Sequence, residues 1–409
     1  MKKTKIILGL AILLISSLVT AQNELNRYLE LAAENNSGLK AKFSDYMAAL
    51  EVAPQVKGLP DPQVAFAYFI MPVETRVGPQ NAKISASQMF PWFGTLKAKE
   101  NIAVQSAKAK YEQFEEAKSK LFNEVRSNYF NIYFNKRAIQ ITRENIDILS
   151  TFKKLANIKF ESGLVSAVDE YRIEMEIGDL ENQLYLLIDT QNTLELIFKN
   201  LINVDDIIIA TPETLWEDDF ELKKEEVLDS IRNNNHQLLS LSLQQEALLF
   251  RKELAEKQGA PNLSIGLDYI FVGKDNNKFT GTDAFIFPKI GITIPLYRKK
   301  YKAMVNEVIY LQESKEYQKS DKENLLENIF ENVWQDYMDA DRRIVLYKKQ
   351  LELASKAITL IETEYTTGNQ NFEEILRMER RLLTYSLKLE KSRSDKQAAI
   401  SFINYLTGN

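Results

Sequence analysis

The chain has no cysteine and a single histidine, His236. Without a thiol there is no disulfide, no thiolate metal site, no cysteine nucleophile and no lipid-modified N-terminal cysteine. One imidazole without ligand neighbours is no metal site, so His236 reads as an ordinary helix residue. Met71, Met89 and Met175 are scattered singles that read as packing residues rather than copper ligands. Long apolar runs are missing too. The most apolar stretch, Ile6 to Leu14, falls short of the ~20 residues that a helical membrane span needs.

That stretch follows Lys2, Lys3 and Lys5 and leads through small residues to Val19, Thr20 and Ala21. Such an arrangement is expected of a cleavable secretory signal over residues 1–21, cut after Ala21. Removing its three lysines from the 52 basic residues leaves 49 against 57 acidic ones, a net −8. An acidic balance argues against a nucleic-acid partner, which would want a basic face. Hydrophobic content of 45% with 27% charged residues is ordinary for a folded chain, so wholesale disorder is excluded.

Proline and glycine are scarce over two long stretches. After Pro295 only Gly368 and Gly408 interrupt helix-forming sequence as far as Asn409. Two very long helices meeting near Gly368 are the expectation. Within them Phe330, Tyr337, Ile344, Leu351, Ile358 and Tyr365 recur at every seventh position, the seam of a supercoiled helix. The same phase appears 205 residues earlier in Val125, Ile132, Ile139, Ile146 and Phe160, broken by Lys153, with Gly163 in the place of Gly368. From Thr95 to Phe160 there is neither proline nor glycine, enough for a helix of about 100 Å at ~1.5 Å per residue.

The repeat extends beyond the seams. Leu29, Asn35, Asn36 and Leu39 are echoed by Leu228, Asn234, Asn235 and Leu238, and Gly58-Leu59-Pro60 by Gly259-Ala260-Pro261. Aromatic and β-branched runs predict one β-hairpin over 63–90 and another over 264–294. Each closes on a proline corner, Pro91 or Pro295, before a long helix begins. The expected organisation is a first repeat over 22–206, an inter-repeat segment over 207–221 holding a short strand at Ile207-Ile208-Ile209, and a second repeat over 222–409. The fold class is mainly α with a small β part. Strands of 8 to 11 residues suit a tilted crossing of an outer membrane, and four per chain cannot close a barrel alone.

This doubled layout resembles the TolC-like outer-membrane factors over residues 22–409, and Gln88-Met89-Phe90-Pro91-Trp92-Phe93-Gly94 looks like their strand-to-helix corner. With Gly58 to Pro62 and residues 72–80, it looks most like the branch paired with heavy-metal efflux pumps, although this chain lacks the lipidated cysteine common there. The resemblance implies a homotrimer in outer-membrane lipid, three chains giving four strands each to a twelve-stranded barrel, with a helical tunnel in the periplasm. It implies a passive exit duct of a tripartite efflux or type I secretion system, without cofactor or enzymatic reaction. Its partners would be a periplasmic adaptor and an inner-membrane pump of the resistance-nodulation-division type. Gly163 and Gly368 would turn the helix tips. Asp169 and Tyr365 would latch one helix pair to its neighbour, with Glu373 and Glu374 ringing the pore. Gln370 stands in place of the family's gating arginine, and Arg377 in place of its second pore aspartate.

Two other readings of these residues stand beside that one. Ser166-Ala167-Val168-Asp169 and Asn371-Phe372-Glu373-Glu374 have the form of helix capping boxes, which would make Asp169 and Glu374 caps. A periplasmic or surface coiled-coil scaffold or adhesin would share the seams, but has no need of paired hairpins at equal intervals.

Overall fold

The computed structural model describes residues 23–162, 166–217, 219–220, 223–274, 281–366 and 372–409. The chain divides into two compact units. One draws on residues up to 41, 115–235 and 323–409, the other on 42–114 and 236–322. The expected signal segment, Gly163 and Gly368 lie outside the described residues.

In chain order the elements are α1 (23–35), α2 (Ser37–Leu50), α3 (Val52–Lys57), β1 (Gln63–Val73), β2 (Gln80–Phe90), α4 (Thr95–Glu161) and α5 (Ala167–Ile202). The order then repeats as α6 (Lys224–Asn234), α7 (His236–Gln258), β3 (Asn262–Val272), β4 (Ala284–Thr293), α8 (Arg298–Thr366) and α9 (Phe372–Leu406). The punctuation residues act as their chemistry dictates. Asn36, between α1 and α2, accepts the Leu39 amide at 3.0 Å and donates to the Leu201 carbonyl at 3.0 Å. Asn235, between α6 and α7, donates to the Leu406 carbonyl at 2.9 Å. Each asparagine thus ties a helix break to the end of a return helix, and the duplication read in the sequence is visible as two equivalent bonds.

In the first unit, Phe330, Tyr337, Ile344, Ile358 and Tyr365 of α8 are buried, as their spacing predicts, while Leu351 of the same row is half-buried. The seam of α4 departs from the expected phase. Val125 and Ile132 are buried, but Ile139 and Ile146 are half-buried and Phe160 is exposed. The row buried throughout is instead Leu121, Asn128, Asn135, Thr142, Leu149 and Ala156, again at every seventh position. Its polar members hide the stripe from a reading based on hydrophobicity. Asn135 shows how such a residue is accommodated, donating to the Leu187 carbonyl at 2.8 Å and to Gln191 at 3.0 Å.

The inter-repeat segment also differs from expectation. Residues 207–209 form no strand, because side chains rather than a neighbouring strand satisfy their backbone. The Tyr28 hydroxyl lies against the Ile208 carbonyl at 3.4 Å and accepts the Ala210 amide at 3.0 Å, while Lys136 donates to the Ile209 carbonyl at 2.7 Å.

In the second unit the two hairpins join into one antiparallel sheet of order β1-β2-β3-β4. Pro72 and Pro288 both sit on edge strands, where a missing backbone donor costs no ladder bond. The corner at Pro91 closes with the Thr95 amide donating to the Trp92 carbonyl at 3.0 Å, and with Gly94 at φ +79°. The corner at Pro295 has no glycine, and α8 starts three residues later with the Arg298 guanidinium on the Gly259 carbonyl at 3.0 Å.

Candidate channel wall and helix-tip gate

The register gives the sheet two unlike faces. Phe66, Ile84, Tyr269 and Phe285 are successive partners across all four strands, and all are exposed. Val64 and Tyr68 of β1 and Ile290 and Ile292 of β4 continue that apolar face. The opposite face carries Gln63, Lys83, Ser85, Ser87, Ser264, Asp268 and Lys289. Soluble monomers rarely expose so continuous an apolar surface, whereas a sheet between lipid and water needs one face of each kind. Among the described residues no helix is long and apolar enough to cross a membrane.

The other expected site lies at one end of the four-helix part of the first unit. Leu149, Ala156, Ile173, Leu180, Ile358, Tyr365, Phe372, Ile375 and Leu376 pack there from α4, α5, α8 and α9. Tyr365 is buried in this cluster, its ring centroid 5.5 Å from that of Phe372. Lys159 lies over its ring at 3.6 Å and donates to its carbonyl at 2.6 Å. The Tyr365 hydroxyl itself is buried and has no hydrogen-bond partner among the described residues. Burial and the nearby Asp169 carboxylate hold its pKa above the ordinary tyrosine value.

Asp169 stands in the first turn of α5. Ser166 caps that helix, accepting the Val168 amide at 3.3 Å, but the reciprocal bond of a capping box does not form at Asp169. Arg172 approaches Asp169 at 3.8 Å and Glu373 at 3.2 Å. Burial raises the Asp169 carboxyl above the usual range, Arg172 opposes the shift and Glu373 adds to it. Glu374 pairs with Arg377 on the same helix, so that acid does not stand alone at the tip. Asn371, its expected cap, lies outside the described residues, as does Gln370. The structure therefore brings Asp169, Tyr365 and Glu373 to one place and gives Glu374 a basic neighbour. Among the described residues no cluster of His, Asp or Glu could hold a metal ion.

No curated protein matches the sequence. Residues 73–187 match the family model described as outer membrane efflux protein. The solved structure of the outer-membrane channel OprN is similar at a TM-score of 0.78 and 14% identity, over 94% of this chain and 90% of that one. The outer membrane protein VceC from Vibrio cholerae is similar at 0.77 and 13%, over 96% of this chain and 98% of that one. The family match over residues 73–187 and the shared fold support a TolC-like outer-membrane factor. CusC, solved in work on transmembrane channel formation, matches at 0.77 and 15%, over 95% of this chain and 92% of that one.

One part of this chain has no counterpart in the sequence reading. The segment around residues 215–220 is fastened to α4, α8 and α9 by polar groups, some of them buried. Arg393, on α9, donates to Glu217 at 3.0 Å and to Glu390 at 2.8 Å, and Lys348 donates to Glu217 at 2.6 Å. Glu390 also accepts the Tyr133 hydroxyl, which in turn accepts the Leu215 amide at 3.3 Å. Lys396, nearly fully buried, reaches Asp219 and Asp341. Burial works against the Arg393 charge, but Glu390 and Glu217 outweigh it and keep the guanidinium's pKa raised. The only signal available beforehand was the density of polar residues on α9, from Glu390 to Ser401, and that reads equally as a solvated face.

Proposed function

We propose that this chain is the outer-membrane exit duct of a tripartite efflux or secretion system, acting as a homotrimer and catalysing no reaction. The observation that carries the reading is the four-stranded sheet, open at both edges, with an exposed apolar face and a polar face behind it. An open sheet with a lipid-compatible face is stable only if its edges pair elsewhere. Three copies supply twelve strands, with the helical part in the periplasm. Residues 1–21 direct export, and 22–206 and 222–409 are the two repeats on either side of the 207–221 segment. Transport is driven by an inner-membrane pump of the resistance-nodulation-division type through a periplasmic adaptor.

Within this reading Asp169 and Tyr365 form the latch between helix pairs, with Glu373 and Glu374 beside it and the turns at Gly163 and Gly368. In support, among the described residues the Tyr365 hydroxyl has no partner and the side chain of its electrostatic neighbour Asp169 has a long contact to Arg172. A small shift of α5 against α8 would join them. Conductance in planar bilayers tests both levels. The parent protein should form pores. Asp169→Ala and Tyr365→Phe should each raise single-channel conductance, and the double change should add little beyond either one. Purified protein that never conducts, in any variant, removes the duct and favours a scaffold. Pores unaltered by either change would retain the duct and reduce Asp169 to a residue of the helix start.

A further inference from the structure

The four strands together contain only three charged residues, Lys83 on β2, Asp268 on β3 and Lys289 on β4. All three lie on the polar face and meet at one point. Ser85 is the direct cross-strand partner of Asp268, while Lys83 pairs with Ile270 and Lys289 with Gly266, so the two lysines reach Asp268 diagonally from either side. Lys83 contacts the carboxylate at 2.8 Å, and Lys289 lies 3.3 Å from both of its oxygens. Exposure then decides the sign of the site. The Asp268 side chain is 6% exposed, against 29% for Lys83 and 53% for Lys289. The acid is covered by its own lysines, and what faces outward is ammonium.

We propose that Lys83, Asp268 and Lys289 form a net-cationic belt on the inner wall of the β-barrel that favours anionic solutes over cations at that level. This rests on the duct reading, which makes the polar face of the sheet a lumen wall. Two lysines and one aspartate leave one positive charge per chain, and three copies place the surplus on one ring. Each ammonium has three N–H donors, and the carboxylate does not use them all. A belt of this sign opposes free metal cations, the cargo suggested by the resemblance of the corner motif to the heavy-metal branch. In a lumen of barrel width the field reaches solutes only over the screening length, about 30 Å at 0.01 M salt and about 3 Å at 1 M. The preference is therefore strong in dilute salt and absent in concentrated salt.

The cysteine-free chain makes the test local rather than dependent on the helix tips. Ser87→Cys, on the polar face in the row of Gly266 and Lys289, introduces one thiol whose labelling by anionic and cationic methanethiosulfonate reagents is compared in membrane-embedded protein. The ratio of anionic to cationic rate should exceed that in 1 M salt by about twofold or more at 0.01 M. Adding Asp268→Asn should raise it further, and the neutral triple change Lys83→Gln, Asp268→Asn, Lys289→Gln should abolish the dependence on salt. If the triple variant does not assemble, Asp268→Asn, which keeps both lysines, still decides by the direction of its change. A ratio identical in all backgrounds, with the thiol labelled by both reagents, overturns the belt and leaves the duct standing. A thiol reached by neither reagent overturns the duct reading itself, because the polar face would then not line water.

Discussion

Glu379→Gln should raise the stability of the helical unit by about 3 kcal/mol well above pH 7 and leave it unchanged below pH 4.5. Glu379 lies on α9 with 5% of its surface exposed. Its described polar neighbours are Asn145 of α4, at 3.4 Å, and the like charge of Glu362 on α8. Burial first, and Glu362 second, push its pKa from 4.5 up to about 7, the Asn145 amide opposing them. Between those two values the unfolded chain has released a proton that the folded chain keeps. The folded state therefore binds more protons, and stability falls as pH rises through that window. Above it the full cost of a buried carboxylate is present, which the glutamine removes. Urea unfolding followed by helical circular dichroism at pH 4.5, 6 and 8 measures this. The parent should lose stability across the series relative to the variant. Parallel curves for the two proteins would show that water reaches Glu379 in the assembled state.

Arg393→Ala should cost about 3 kcal/mol, the low end of the range for breaking a buried ion pair by removing one partner. Arg393 is the hub between Glu217 on the inter-repeat segment and Glu390 on its own helix. The Glu390 side chain is 8% exposed, and without the guanidinium it keeps only the Tyr133 hydroxyl and a stranded charge. Loss of the hub also frees Glu217, leaving it Lys348 alone. The pair Arg393→Met with Glu390→Gln should recover most of the loss, since the cost lies in the unpaired charge and not in the absent bridge. Limited proteolysis near Trp216 gives a second reading, with faster cleavage in Arg393→Ala than in the parent. Equal stability and equal cleavage would mean that apolar packing alone holds the segment, for instance the Phe130 and Trp216 rings 6.0 Å apart.

Much of this architecture was legible because it rests on residues with one backbone habit. Prolines at 91 and 295 end strands, asparagines at 36 and 235 break helices, and the scarcity of both proline and glycine elsewhere licenses helices of 67 and 69 residues. The α8 seam was legible because its members are apolar. The α4 seam was not, since the polar residues Asn128, Asn135 and Thr142 occupy it, and of these Asn135 becomes intelligible beside the Leu187 carbonyl and Gln191. Ile207 to Ile209 look like a strand by propensity, yet Tyr28 and Lys136, both more than 70 residues away in sequence, take their backbone groups. The charge belt needed the register, because nothing in sequence relates Lys83 to Asp268. At the tip, Asp169 and Tyr365 were singled out by a family pattern, while the pairing of Glu374 with Arg377 gives that acid a partner the pattern did not supply.

The central claim is that edges β1 and β4 pair between copies, and disulfide capture measures it directly. Within one chain the two edges are separated by two strands, about 14 Å at the ~4.8 Å strand spacing, beyond the ~7 Å that a disulfide can bridge. With no native thiol, any bond formed between Ala65→Cys on β1 and a cysteine placed in turn at Ala284, Ile286, Gly291 or Thr293 on β4 must join two copies. The duct predicts that at one of these registers mild oxidant converts membrane-embedded protein to a closed covalent trimer, resolved on a denaturing gel and reversed by reductant. Monomer at every register, or an open-ended ladder of dimers and higher species with no accumulation at three, would contradict it.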